Sequence, residues 1–136
     1  MKAIIYARYS NTADQDEAIE NQLLQCREYA ENNDIEVIGE YIDRGLSATT
    51  KKETRSEFLR MINDSHKGQF DTILVSSLDR ITRHSDELRH YGSILIENGV
   101  KIIAMKELAA GISMEDYLDY IVGSGLKDSD FEFVGP

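Results

Sequence analysis

The chain has 136 residues, 41% hydrophobic and 29% charged, the length and composition of one soluble globular domain able to bury a core. No apolar run reaches the roughly 18 to 20 residues of a membrane span, no signal-peptide pattern opens the chain, and the single cysteine, Cys26, excludes an internal disulfide, so a reducing cytoplasm is the expected setting. The net charge of −10 argues at face value against nucleic acid, but residues 107–136 hold seven acidic residues and one lysine, which leaves room for arginines to cluster earlier.

Residues 3–8 read as a strand that runs out through Arg8 and Ser10, two positions that share a face in an extended chain. Ile19, Leu23, Cys26 and Ala30 recur at three- and four-residue spacing and mark a helix over about 16–32, with Thr12-x-x-Gln15 as a capping pair. In that register Cys26 reads as a small core residue. Asn32-Asn33-Asp34 ends the helix, "IEVIGEYI" (35–42) is the second strand, and "DRGLSATTKKET" (43–54) is a polar loop expected to be mobile. Thr54-x-x-Glu57 is a capping-box pattern for a helix with Phe58, Met61 and Ile62 inward. "DTILVSS" (71–77) is the third strand. Leu88, Tyr91 and Leu95 define a helix over about 85–98 stopped by Asn98-Gly99, and "VKIIAM" (100–105) is the fourth strand.

Strands alternating with helices imply a single α/β domain, with a mainly parallel sheet of four to five strands flanked by helices. Sites in such sheets gather beyond the carboxyl ends of the strands. Three exits therefore matter together: Arg8-Tyr9-Ser10, Asp43-Arg44 and Ser77-Leu78-Asp79-Arg80.

In "SSLDRITRH" (76–84), Arg80 and Arg83 stand three apart, on one side of a helical turn. A guanidinium fork matches two phosphate oxygens and keeps its charge. Arg8, Arg80 and Arg83 beside a serine would suit a phosphodiester attacked by a hydroxyl. The physical alternative is a divalent metal held by carboxylates. Each feature also has an ordinary explanation: a serine after a strand is usually a turn residue, and Asp79 alone reads as an N-cap. His66, His84 and His90 are scattered without metal-ligand spacing, and no phosphate-loop or dinucleotide motif occurs. No metal and no cofactor is expected.

"YARYS", "ENQLLQCREYA", "YIDRGLSA", "RSEF" and "LDRITR", in this order and at these intervals, resemble the catalytic domain of serine recombinases, the resolvase/invertase family. The spacing is most similar to the large branch that includes phage integrases and transposon recombinases, and the resemblance covers roughly residues 2–107. It implies a resolvase-like domain that cuts and rejoins DNA at specific sites through a 5′-phosphoserine intermediate. By resemblance, Ser10 is the nucleophile, Arg8, Arg80 and Arg83 surround the scissile phosphate, and Asp79 serves as a proton donor or an organiser of the arginines. Arg55 matches an arginine implicated in the site, and Gln22 and Asp43 match supporting positions. The implied partners are duplex DNA, reached through a DNA-binding region absent from this sequence, and further copies of the chain in a dimer or tetramer.

The chain departs from the family from about Leu108, where a long helix that builds the dimer and crosses DNA is expected. "SMEDYLDYIV" (113–122) offers only a short apolar face, followed by an acidic tail that opposes phosphate binding. The expected division is a catalytic core over 1–107 and a divergent segment over 108–136, in an excised domain or a natural truncation. Two rivals stand beside the recombinase: a truncated relative acting as a binding or regulatory module, and a metal-dependent nuclease or phosphatase using Asp43, Asp71 and Asp79.

Overall fold

The computed structural model describes residues 1–9, 15–44, 55–82 and 84–112. The expected loop over 45–54, the helix over 113–122 and the acidic tail lie outside the described residues. The elements follow as β1 (Lys2–Tyr9), α1 (Gln15–Asn32), β2 (Glu36–Arg44), α2 (Ser56–Asp64), β3 (Thr72–Val75), α3 (Ser85–Glu97), β4 (Lys101–Ala104) and α4 (Met105–Ala109). Short 3₁₀ turns occupy Ser65–Lys67 and Leu78–Arg80. Four strands pair in parallel in the order β2-β1-β3-β4. None of the described helices is long and apolar enough to cross a membrane.

The central strand β1 is buried on both faces, because side chains alternate sides and each side has its own helices to meet. Ala3, Ile5 and Ala7 pack with Ile19, Leu23, Cys26 and Ala30 of α1. Ile4 and Tyr6 pack with Phe58 and Met61 of α2 and with Leu88 and Leu95 of α3. These are the residues whose helical spacing predicts an inward face. Burial pushes the Cys26 thiol up to about 12, so it stays protonated and serves the core. The chain winds outward from β1 to β2 and, in the opposite direction, from β3 to β4. The carboxyl ends of β1 and β3 therefore flank the point where the winding reverses, the place at which open parallel sheets form a binding crevice.

One irregularity decides what reaches that crevice. The β1–β2 register slips between Ala3 and Ile4, so that Ala3 faces Val37 but Ile4 faces Gly39. The extra residue, Ile38, is 43% exposed. A one-residue bulge flips every later side chain to the other face. Val37 accordingly sits against the α1 cluster, while Tyr41 joins the cluster under α2 and α3. Asp43, two residues on, is carried to the α2 face by the same flip.

Two strand ends and one helix depart most from the sequence expectation. The second strand runs through Arg44, so Asp43 belongs to it and is 2% exposed. The third strand stops at Val75, where the chain tightens into the 3₁₀ turn. A short helix, α4, follows β4 directly and has no periodicity long enough to announce it. At the end of α3 the expected stop holds: Gly99 takes a φ of +73°, which glycine adopts without strain.

Candidate functional site

The exit of β1 is clamped before the chain leaves the sheet. Gln22 of α1, itself buried, accepts from the Arg8 N–H (3.1 Å) and donates to the Arg8 carbonyl (3.0 Å). Arg80 donates to the same carbonyl through Nη1 at 3.3 Å. The backbone two residues ahead of Ser10 is thus tied to α1 on one side and to the turn after β3 on the other. Among the described residues, both bonds from Gln22 go to the Arg8 backbone.

The turn after β3 places a carboxylate and a cation next to each other. Ser77 donates its hydroxyl to Asp79 Oδ1, and the Arg80 N–H closes the turn on the Ser77 carbonyl at 3.1 Å. Asp79 and Arg80 keep part of their side chains exposed. Arg55, at the N-terminus of α2, reaches across to this turn. Its Nη2 donates to the carbonyls of Ile81 and, at 3.5 Å, of Arg80, while its guanidinium lies 4.0 Å from the centre of the Phe58 ring. Glu87 of α3 faces Arg55 Nη1 at 3.7 Å and accepts from the Thr82 hydroxyl at 3.0 Å. Thr82 Oγ1 in turn accepts the His84 N–H at 3.0 Å, so the residues on both sides of position 83 are fixed. Arg8, Arg55 and Arg80, from three separate segments, are therefore linked through a short run of backbone carbonyls.

Asp43 does a different job from a phosphate ligand. Its carboxylate accepts the N–H groups of Glu57 and Phe58, both at 3.0 Å, and the Tyr6 hydroxyl at 2.7 Å. It caps α2 from the neighbouring strand. The N-cap residue is Arg55, with no side-chain cap bond, rather than the expected Thr54, and the Glu57 carboxylate pairs with Arg60. Thr54 and Thr12 lie outside the described residues. Burial above all, and then the bond to Asp43, raises the Tyr6 hydroxyl well above the usual tyrosine range, so Tyr6 stays a donor. The exposed first turn of a helix attracts a carboxylate, and here that carboxylate also fixes where Arg55 starts. Asp43→Ala should lower stability by about 3 kcal/mol, because three donors lose a charged acceptor inside the fold. Urea unfolding would measure it; a loss below about 0.5 kcal/mol, the scatter of surface substitutions, would contradict the capping role.

Ser10 and Arg83 lie outside the described residues. Among the others, Arg8, Arg55, Asp79 and Arg80 come together at the β1/β3 crevice, with Gln22 and Asp43 behind them. The three aspartates of the metal rival do not converge. Asp71 precedes β3, where Oδ1 accepts from the Lys2 N–H and the Thr72 hydroxyl, whereas Asp79 follows that strand. A four-residue strand separates them by on the order of 13 Å. His66, His84 and His90 are exposed. Sequence reasoning passed over Glu87, whose position on an exposed first turn gave no signal. It also counted Glu107 with the acidic tail, although Glu107 is 2% exposed beside the site.

A family model, the resolvase N-terminal domain, matches residues 3–122. Among solved structures, the chain is 28% identical to a resolvase family site-specific recombinase from Streptococcus pneumoniae, covering 92% of this chain and 85% of that one with a TM-score of 0.75. It is 26% identical to the N-terminal catalytic domain of TP901-1 integrase, covering 92% and 94% of the two chains with a TM-score of 0.70. The C-terminal catalytic domain of ISC1926 TnpA, an IS607-like serine recombinase, is 27% identical over 77% of this chain and 67% of that one, with a TM-score of 0.64. A comparison with curated proteins gives no match. The match over nearly the whole chain, with relatives that are themselves recombinase catalytic domains, establishes that the chain belongs to the resolvase N-terminal domain family and is a serine recombinase catalytic domain.

Proposed function

We propose that the domain cuts and rejoins duplex DNA by attack of Ser10 on a phosphodiester. The Ser10 Oγ–P bond forms and the P–O3′ bond breaks, leaving a 5′-phosphoserine link and a 3′-hydroxyl. One phosphodiester replaces another, so strand exchange by the reverse attack needs no nucleotide. The proton given up by Ser10 is matched by the one O3′ gains. Asp79, on the turn bonded to the β1 exit, is the proposed donor of that proton or organiser of the arginines. Arg8, Arg80 and Arg83 carry the charge on the non-bridging oxygens. Arg55, Gln22 and Asp43 hold the backbone from which these groups project.

The observation that carries this reading is the bond from Arg80 to the Arg8 carbonyl, which joins the phosphate-binding turn to the segment entering Ser10. Target DNA, a dimer or tetramer of the chain, and a cytoplasmic setting complete the proposal. The net charge of −10 works against phosphate binding by this domain alone. The test therefore joins the full chain to a sequence-specific DNA-binding module and presents a suspected crossover site in EDTA without nucleotide. Protein attached to the 5′ end of the cut strand is the expected product. Cleavage that needs Mg²⁺ and leaves no adduct would overturn the proposal.

A further inference from the structure

We propose that Glu107 is a positioning residue for the Asp79–Arg80 turn, acting through the backbone N–H of Leu78. Its expected effect on rate rests on the recombinase reading above; its geometry does not. Leu78 opens the 3₁₀ turn and is 0% exposed, so its N–H has neither a partner within the turn nor water to meet it. The N-cap residue Ser77 makes no side-chain cap bond, because its hydroxyl is turned to Asp79. The missing acceptor comes from α4: Glu107 Oε1 takes the Leu78 N–H at 2.8 Å. The preceding residue fastens the same helix to the same strand exit, with the Lys106 N–H on the Ser76 carbonyl at 2.9 Å.

A carboxylate held at 2% exposure is costly to desolvate, and leucine would fill similar space without that cost. What leucine cannot do is accept the Leu78 N–H. Two residues further on, Arg80 makes its bond to the Arg8 carbonyl, so a turn released at Leu78 shifts Asp79, Arg80 and the approach to Ser10 together. A displacement of about 1 Å at reacting groups costs on the order of 10²-fold in rate.

The test uses the full chain joined to a DNA-binding module and compares wild type with Glu107→Gln and Glu107→Leu. Adduct formation, DNA affinity and hydrogen exchange of the Leu78 amide are measured on each. Glu107→Gln keeps an acceptor oxygen and should retain Leu78 protection and an adduct rate within about tenfold of wild type, since it exchanges a charged for a neutral hydrogen bond. Glu107→Leu should lose Leu78 protection and slow the adduct by on the order of 10²-fold with DNA affinity nearly unchanged, a loss confined to the chemical step. Ile73 and Leu74 of β3 should keep their protection in both variants. An Ile102→Ala variant, destabilised in the core beneath β4, should form the adduct at the wild-type rate, which separates positioning from stability. Should Glu107→Leu not fold, Glu107→Asp, with the carboxylate withdrawn by one methylene, carries the same expectations at smaller amplitude. A wild-type rate in the folded Leu or Asp variant, unchanged Leu78 protection there, or failure of Glu107→Gln to rescue would overturn the proposal. If wild type forms no adduct, the recombinase chemistry fails, while Leu78 exchange still decides the positioning claim.

Discussion

Ser10→Ala is expected to abolish the covalent protein–DNA adduct while leaving DNA affinity nearly unchanged. The reason is chemical: the variant lacks the hydroxyl proposed to become bonded to phosphorus. Cys26 is buried and its thiol is pushed up to about 12, so it offers no thiolate. The Tyr6 hydroxyl is held above its usual range and donates to the buried Asp43 carboxylate. Alanine removes one oxygen and adds no bulk, so β1, clamped at Arg8 by Gln22 and Arg80, has no reason to move. Wild type and variant should therefore shift the same DNA in a gel and separate only under denaturing conditions, where the wild-type adduct alone survives. An adduct persisting in Ser10→Ala at more than a trace would move the nucleophile elsewhere.

The second large effect concerns Arg80. Arg80→Ala should slow adduct formation by on the order of 10²-fold or more, the scale seen when one preorganised transition-state donor is removed. Two losses act together there. The variant lacks the cation proposed to face the phosphate, and the Arg8 carbonyl loses its bond to the turn after β3. Arg80→Lys separates them: lysine restores charge but not the planar fork, and it recovers only part of the rate if two-point contact matters. Arg83→Ala is expected to act on the same scale, by its place in the same motif. Single-turnover cleavage on saturating DNA is the measurement, since it reads the chemical step apart from binding. A variant within about threefold of wild type would remove Arg80 from the transition state, because that is less than the contribution of one hydrogen bond to a charged group.

Much of this was legible in the sequence because the physics involved is local. The inward faces of α1, α2 and α3 follow from residue spacing, and every residue named for the faces of α1 and α2 is buried. The strand exits that carry Arg8, Asp79 and Arg80 follow from the rule that open parallel sheets bind at their carboxyl ends. What was not legible depends on pairings across the fold. The bulge at Ile38 breaks no pattern in "IEVIGEYI", which does not alternate strictly to begin with, yet it decides which face receives Asp43. The local pattern points to capping by Thr54 and Glu57, whereas the carboxylate seen at the first turn of α2 comes from β2. Resemblance marks Arg55 only as a residue of the site, whereas its bonds to the backbone of the turn that carries Arg80 come from tertiary contact. Glu107 read as one more acid in an acidic ending, since no periodicity marks α4 and only tertiary contact shows its carboxylate turned inward.

The most direct measurement is to trap the adduct in EDTA, digest protein and DNA, and identify the modified residue by mass spectrometry. The expected result is a peptide spanning "YARYS" with a nucleotide 5′-phosphate on Ser10 and a free 3′-hydroxyl on the other DNA end. A phosphate on any other residue, or clean cleavage with no modified peptide and a requirement for Mg²⁺, would contradict it.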